Sequence, residues 1–208
     1  MIPAIITELQ YFPPVSFFAT SYKNTYIYLD IYEAYHKMSF RNRCLIAGAQ
    51  GTISLSVPLH KGRNQRLPMF DVLIADDKNW QDLHFKSIQS AYNRSPFFEY
   101  YKDELLSIYR QPFQKLADWN LCCLNWVKEK LEWATEIRVP EDTVPYPAEG
   151  FDDRRNQVIP KNYDLLTPVK YRQVFEERTG FLNNLSILDL LFNTGNEARE
   201  LLRNSKLQ

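Results

Sequence analysis

Apolar and polar positions change their period along this chain, and each change predicts a change of architecture. Residues 4–12, AIITELQYF, have the β-rich composition of a first strand, closed by the rigid Pro13-Pro14 pair. VSFFATSYKN (15–24) follows as a short helix with its aromatic side packed down. TYIYLD (25–30) then alternates as a second strand and ends on a carboxylate. Strand, helix, strand in that order predicts the opening β-α-β of an open α/β sheet, where ligands bind at the C-terminal ends of the strands. RCLIAGAQGTISLSVPL (43–59) divides at Gly48-Ala49-Gln50-Gly51 into two β-rich runs and predicts a hairpin. After a basic loop, MFDVLIADD (69–77) reads as a further strand.

From Asp77 the period becomes helical. Trp80, Leu83, His84, Ile88, Ala91 and Tyr92 fall at i, i+3, i+4 spacing. Ser95-Pro96 ends that helix and opens PFFEYYKDELLSIYRQP (96–112). A longer pattern over 113–133 has Phe113, Leu116, Asn120, Cys123, Leu124, Val127 and Leu131 as its core stripe, with Trp119, Trp126 and Trp133 as a second packing surface. Residues 134–168 hold prolines at 140, 145, 147, 160 and 168, many charges and no period, which predicts a long irregular crossing. Thr167-Pro168 reads as an N-cap with proline at N1, opening a helix through Arg178 that Gly180 stops. Asn184 is the expected cap of SILDLLF, and NEARELLRN forms the last helix. The fold class is therefore α/β, a mixed sheet with a hairpin in the N-terminal third followed by a mostly helical C-terminal two thirds. One domain is expected over 1–208, with an α/β part at 1–77, helices at 78–133, an irregular loop at 134–166 and closing helices at 167–208.

Composition narrows the function more than the fold. The 208 residues carry 25 Lys+Arg against 25 Asp+Glu, so a general nucleic-acid coat or a polybasic membrane binder is excluded. Six glycines and no G-x-G-x-x-G or G-x-x-x-x-G-K-[ST] make a glycine-rich phosphate loop an unsuitable reading. Cys44, Cys122 and Cys123 form neither a disulfide framework nor a ligand knuckle. His36, His60 and His84 lack metal-ligand spacing, so no metal site is expected. With no basic leader and no run long enough to span a bilayer, the expected location is the cytoplasm.

Polar density peaks around the second strand. Asp30, Glu33, His36, Lys37, Arg41, Asn42 and Arg43 crowd beside Tyr28, Tyr32, Tyr35 and Phe40, and the loop at 60–66 adds Lys61, Arg63 and Arg66. Arginine forks hold phosphate or carboxylate bidentately, and tyrosines add directed donors. Two readings stay open for these residues: an anion-binding cleft, and a charged hairpin edge that discourages aggregation. His84, on the inner face of its helix, is either a hydrogen-bonded core residue or an acid–base group. Asp71, Asp76 and Asp77 read as ligands of a divalent cation with a phosphorylated ligand, and Asp76-Asp77 is as well explained by N-capping.

Several segments taken together resemble the WbqC-like family of bacterial proteins. They are QYFPP (10–14), EAYHKMSFRNR (33–43), LSVP (55–58), the W-x-x-x-H-F-K-S-I-x-S-A-Y run (80–92), SPFFEYY (95–101), YRQVF (171–175) and GFLNNLSILDLLFNTG (180–195). One departure is that Pro13-Pro14 leads into Val15-Ser16. The resemblance implies a protein of surface polysaccharide (O-antigen or lipopolysaccharide) biosynthesis, and glycine transfer to a sugar is the reaction suggested for such proteins. It implies no established catalytic residue, and it leaves any cofactor open. On this reading Glu33 or His84 is the base. Gln10, Tyr11, Asp30, Lys37, Arg41, Asn42, Arg43, Lys61, Arg63 and Tyr92 bind an anionic small molecule or sugar nucleotide. Two other classes stay open: a non-catalytic scaffold of a glycan assembly system, docking a protein partner through FLNNLSILDLLF (181–192), and a nucleotidyltransferase-like enzyme. The latter lacks the histidine pair expected after its first strand.

Overall fold

A computed structural model describes residues 4–76, 79–145 and 148–205. Strands β1 (Ala4–Glu8) and β2 (Tyr26–Asp30) lie parallel, with Ile5 opposite Ile27 and Glu8 opposite Asp30, and helix α1 (Val15–Ser21) connects them. The expected β-α-β is present, but β1 stops at Glu8. Residues 9–14 turn away from it, with Phe12 held at a φ of 38°. Strands β3 (Arg43–Gly48) and β4 (Gly51–Ser56) form the expected hairpin around the loop Ala49-Gln50, as an antiparallel pair separate from the parallel strands. Helices α2 (Trp80–Tyr92), α3 (Phe98–Tyr109) and α4 (Leu116–Lys130) match the helical periods. The fold is α/β, as the pattern predicts.

Several expectations are corrected. MFDVLIADD is no strand: Met69–Asp71 form a 3-10 turn, and Leu73 and Ile74 make only isolated bridges, to Lys115 and Leu59; Asp77 lies outside the described residues. Leu83 points to solvent at 61% exposure, leaving Trp80, His84, Phe85, Ile88, Ala91 and Tyr92 as the buried face of α2. Asn79, not an aspartate, stands at the N-cap of that helix. The crossing at 134–166 is not wholly irregular. It supplies β5 (Glu136–Arg138) beside β2 and β6 (Phe151–Asp153) beside β1, completing a four-stranded parallel sheet of order β5-β2-β1-β6.

The helix expected at 167–178 shrinks to α5 (Glu176–Thr179), with Gly180 ending it at a φ of 70°. Ser186 rather than Asn184 caps α6 (Ile187–Thr194), its Oγ accepting from the Leu188 N–H at 3.3 Å. Asn184, at a φ of 50°, instead accepts the Ser16 N–H on its side chain at 2.8 Å. The last helix, α7 (Glu197–Arg203), falls where expected.

The core follows from these placements. Every residue of α6 except Asn193 is buried, and the helix packs against α1, α3, α7 and β3. Its five large apolar side chains, Ile187, Leu188, Leu190, Leu191 and Phe192, each contribute about 1.5–3 kcal/mol by burial, while Asp189 is buried with hydrogen-bond partners. Gly195 stops α6 at a φ of 54°, where a β-carbon would meet the Phe97 ring at 2.6 Å. Trp119, Trp126 and Trp133 are buried as the predicted second surface of the α4 region. Cys44 and Cys123 are buried free thiols and Cys122 is half-buried.

The sheet is tied from the far side of the sequence. Glu8 and Asp30, neighbours in register, are both buried. Arg155, just past β6, reaches Asp30 Oδ2 at 2.6 Å and also holds Asp153 and the carbonyls of Val144 and Pro145. Removing one partner of a buried ion pair strands the other charge, at about 3–5 kcal/mol. Arg155→Met is therefore expected to lower the urea-unfolding free energy by about that much. A loss below about 1 kcal/mol, the range of an exposed pair, would remove Arg155 from this role.

Candidate functional site

The C-terminal ends of β1 and β2 carry the densest buried polar network. Glu8 accepts from Gln10 Nε2 at 2.8 Å on one oxygen and from the Asn156 N–H at 2.9 Å on the other. Asn156, in a left-handed conformation at a φ of 59°, turns its side chain to accept from Arg41 Nη2 at 3.0 Å. Arg41 is fully buried and binds Glu33 through Nε at 2.9 Å and through Nη2. Asp30 closes the turn after β2 by accepting the N–H groups of Tyr32 and Glu33 at 2.9 and 3.1 Å. A continuous chain of contacts thus runs from Gln10 through Glu8, Asn156 and Arg41 to Glu33.

Within this network Glu33 is the group set to titrate near neutrality. Burial raises its pKa to about 7, outweighing the opposing effect of Arg41, while Glu8 and Asp30 push in the same direction as burial. Its side chain keeps 11% exposure, so solvent protons reach it. Two guanidinium donors of the 41–43 segment are buried and without a hydrogen-bond partner, Arg41 Nη1 and Arg43 Nε. Burial raises the pKa of the Tyr35 hydroxyl, and the charges of Arg41, Arg43 and Arg63 act against it. On His36 burial lowers the pKa, and Arg41 and Arg66 act with it.

Other predicted residues go elsewhere. Asn42 braces the hairpin, accepting from the Tyr35 hydroxyl at 2.9 Å and donating to the Val57 carbonyl at 2.9 Å. Lys37 and Lys61 are exposed. Tyr11 and His84 share an aromatic cluster with Trp80, Tyr109 and Trp119. His84 Nδ1 lies 3.0 Å from the Tyr11 hydroxyl, which also meets the Tyr109 hydroxyl. Burial lowers the His84 pKa to about 4, so the ring is neutral at pH 7. Among the described residues Glu33 bonds Arg41 and His84 meets Tyr11, with no hydrogen-bond partner in common. Among the described residues no three His, Cys, Asp or Glu side chains gather as a metal-binding group.

Tyr92 joins a different network. Its hydroxyl accepts from the Ala47 N–H at 2.9 Å and donates to Asp189 Oδ1 at 2.8 Å, and Asp189 Oδ2 accepts from Tyr171 at 2.7 Å and from Gln173 at 3.0 Å. The backbone at 171–173, where a helix was expected, is non-helical, and Tyr171 and Gln173 both reach this carboxylate. Glu8, Arg155, Asn156 and Gln173 escaped sequence reasoning. The signals were a carboxylate ending the first strand and the DDRRN run at 152–156, hidden in a segment with no period.

Two concavities flank these networks. An open groove of about 1140 Å³ runs between the hairpin tip, the end of α2 and the segment 172–178, with Lys86, Arg94, Arg172 and Arg178 among its lining. A smaller pocket of about 260 Å³ lies between α1, β1 and β6 and includes Gln10. Among the described residues no helix is long and apolar enough to cross a membrane.

Burial raises the Asp189 pKa to about 6, against the lowering effect of its three donors. Its folded-state pKa lies above the unfolded value of about 3.9, so its stabilising contribution is complete below about pH 4 and is lost as pH rises through about 6. Asp189→Asn is expected to flatten that part of the stability–pH curve, measured by urea unfolding between pH 4 and 7. An unchanged slope would show that Asp189 titrates normally. Tyr92→Phe, which leaves the buried Ala47 N–H unpaired, is expected to cost about 1–3 kcal/mol at any pH in that range.

Comparison with known proteins gives one match. None of the curated proteins and none of the solved structures compared matches the chain. The sequence pattern of the WbqC-like protein family matches residues 10–152, more than half of the chain and a span that holds Gln10, Glu33, Arg41 and β6 up to Asp152. The chain belongs to the WbqC-like protein family.

Proposed function

We propose that this protein is a transferase of bacterial surface polysaccharide biosynthesis, carrying an acyl group, with glycyl as the leading candidate, from an activated ester or thioester donor to a sugar, the donor's alcohol or thiol leaving as the new bond forms. The observation that carries the proposal is the ion pair of the enclosed Arg41 with the part-buried Glu33, just past the C-terminal ends of a parallel sheet. Open parallel sheets bind ligands at that edge. A carboxyl group with a pKa near 7 is matched to removing a proton from an attacking amine or hydroxyl at neutral pH. Arg43 and Arg63, together with the unpartnered Arg41 Nη1, supply donors for a phosphate or carboxylate and stabilise charge that develops beside it. His84, neutral and enclosed by aromatic rings, takes a packing role and leaves the base to Glu33.

A scaffold is the competing class, and burial weighs against its motivating segment. The apolar side chains of α6 are enclosed within this chain and leave no apolar face of 187–192 for a partner.

Calorimetric titration with a panel of sugar nucleotides, followed by an assay for transfer of labelled glycine, tests the proposal. Arg43→Ala and Arg63→Ala are each expected to weaken sugar-nucleotide binding about tenfold, the loss of one charge-assisted hydrogen bond. Glu33→Gln is expected to keep binding and abolish turnover, and the wild-type rate should rise through a pKa near 7. Binding that both arginine variants leave unchanged, or full turnover by Glu33→Gln, would overturn the assignment.

A further inference from the structure

The pocket between α1, β1 and β6 has the chemistry of a ligand site distinct from the Glu33–Arg41 edge. Ile5 and Asp152 are partners in the sheet register, so Ile5, Thr7 and Asp152 share the face that α1 covers, while Glu8 and Asp30 lie on the opposite face. Two side chains in the lining are more than nine-tenths buried and lack a complete set of partners, Gln10 through Oε1 and Ser16 through Oγ. The amide of Gln10 is oriented by Glu8, which takes its Nε2 at 2.8 Å, so Oε1 is the amide atom left without a partner. A buried acceptor or hydroxyl without a hydrogen bond costs about 1–3 kcal/mol, a cost relieved by whatever enters and bonds to it.

The remaining lining decides what that is. Thr20 and Ser21 donate their protons to backbone carbonyls of α1, at 2.9 and 2.6 Å, so each offers the cavity lone pairs only. The N–H groups of Val15, Ser16 and Phe17 are already bonded to Leu185, Asn184 and Pro14, which leaves no amide cradle for a phosphate. Asp152 and Arg154 cancel each other in an ion pair. Phe17, Val158 and Leu166 add apolar wall. At about 260 Å³ the cavity falls just below the ~300–1,000 Å³ of drug-sized sites.

We propose that this pocket binds a neutral, polyhydroxylated ring of one monosaccharide's size, whose hydroxyl groups donate to Gln10 Oε1 and bond Ser16 Oγ while its C–H face lies on the apolar wall. An acceptor-rich lining with no net charge selects against phosphate and against a free amino acid.

Saturation-transfer NMR with methyl hexosides, inorganic phosphate and glycine on the full chain tests this. Saturation transfer from at least one hexoside and none from phosphate or glycine is expected. Ser16→Ala is expected to weaken that binding about fivefold or more while holding or raising the unliganded melting temperature, because it removes an unpartnered buried hydroxyl. Gln10→Leu should abolish binding, and Ser16→Ala keeps the test open should Gln10→Leu fail to fold. The proposal is overturned by no transfer from any hexoside at tens of millimolar, by transfer from phosphate or glycine instead, or by equal affinity in Ser16→Ala. Failure of this pocket leaves the transferase proposal intact, because sugar-nucleotide binding at Arg43 and Arg63 is read separately.

Discussion

Two carboxylates buried side by side govern the architecture. Glu8 and Asp30 end adjacent parallel strands in register, and neither has water to solvate it. Buried charge persists only when it is paired and hydrogen-bonded. The partners come from residues 155 and 156, more than a hundred positions away: Arg155 for Asp30 and the Asn156 N–H for Glu8. Meeting that demand draws the late crossing back across the sheet and places β6 beside β1. It also folds the proline-rich stretch around the guanidinium of Arg155, which takes the carbonyls of Val144 and Pro145.

The same constraint shapes the chemistry. Arg155 is consumed by Asp30 and Asp153, and Arg41 gives most of its fork to Glu33 and Asn156. Positive charge for a ligand must therefore come mainly from Arg43 and Arg63 at the rim. The Arg41 partner does not compensate for the burial of Glu33, whose pKa is raised to about 7. Gln10 sits where the two faces of the sheet meet. Its amide nitrogen is fixed by Glu8, its oxygen has no partner, and the residue lines the neutral pocket. An ionisable edge and an uncharged cavity are thus joined by one side chain.

Much of this was legible in the residues, for physical reasons. The β-α-β opening, the hairpin at Gly48–Gly51 and the helices α2 to α4 each carry a local period that tertiary contacts reinforce. The strand expected at 69–77 failed because a β-rich, apolar composition also suits a turn buried against α4. The helix expected from Thr167 gives way to non-helical backbone, from which Tyr171 and Gln173 reach Asp189. Strands β5 and β6 have three residues each, too short for any period to show. Of the site, Glu33, Arg41 and Arg43 were visible as local polar density. Glu8, Arg155 and Asn156 were not, because their roles exist only once distant segments meet. His84 was singled out on residue type, which says nothing of the aromatic enclosure that keeps it neutral.

The central claim is that the part-buried glutamate beside Arg41 is poised near neutral pH. Carbon-detected NMR titration of the glutamate side-chain carboxyls, on wild type and on Glu33→Gln, measures it directly. One resonance titrating with a midpoint near 7, and missing from Glu33→Gln, is the predicted result. If every glutamate carboxyl titrates close to the unperturbed value of about 4.3, the ion pair with Arg41 dominates and Glu33 is not the base.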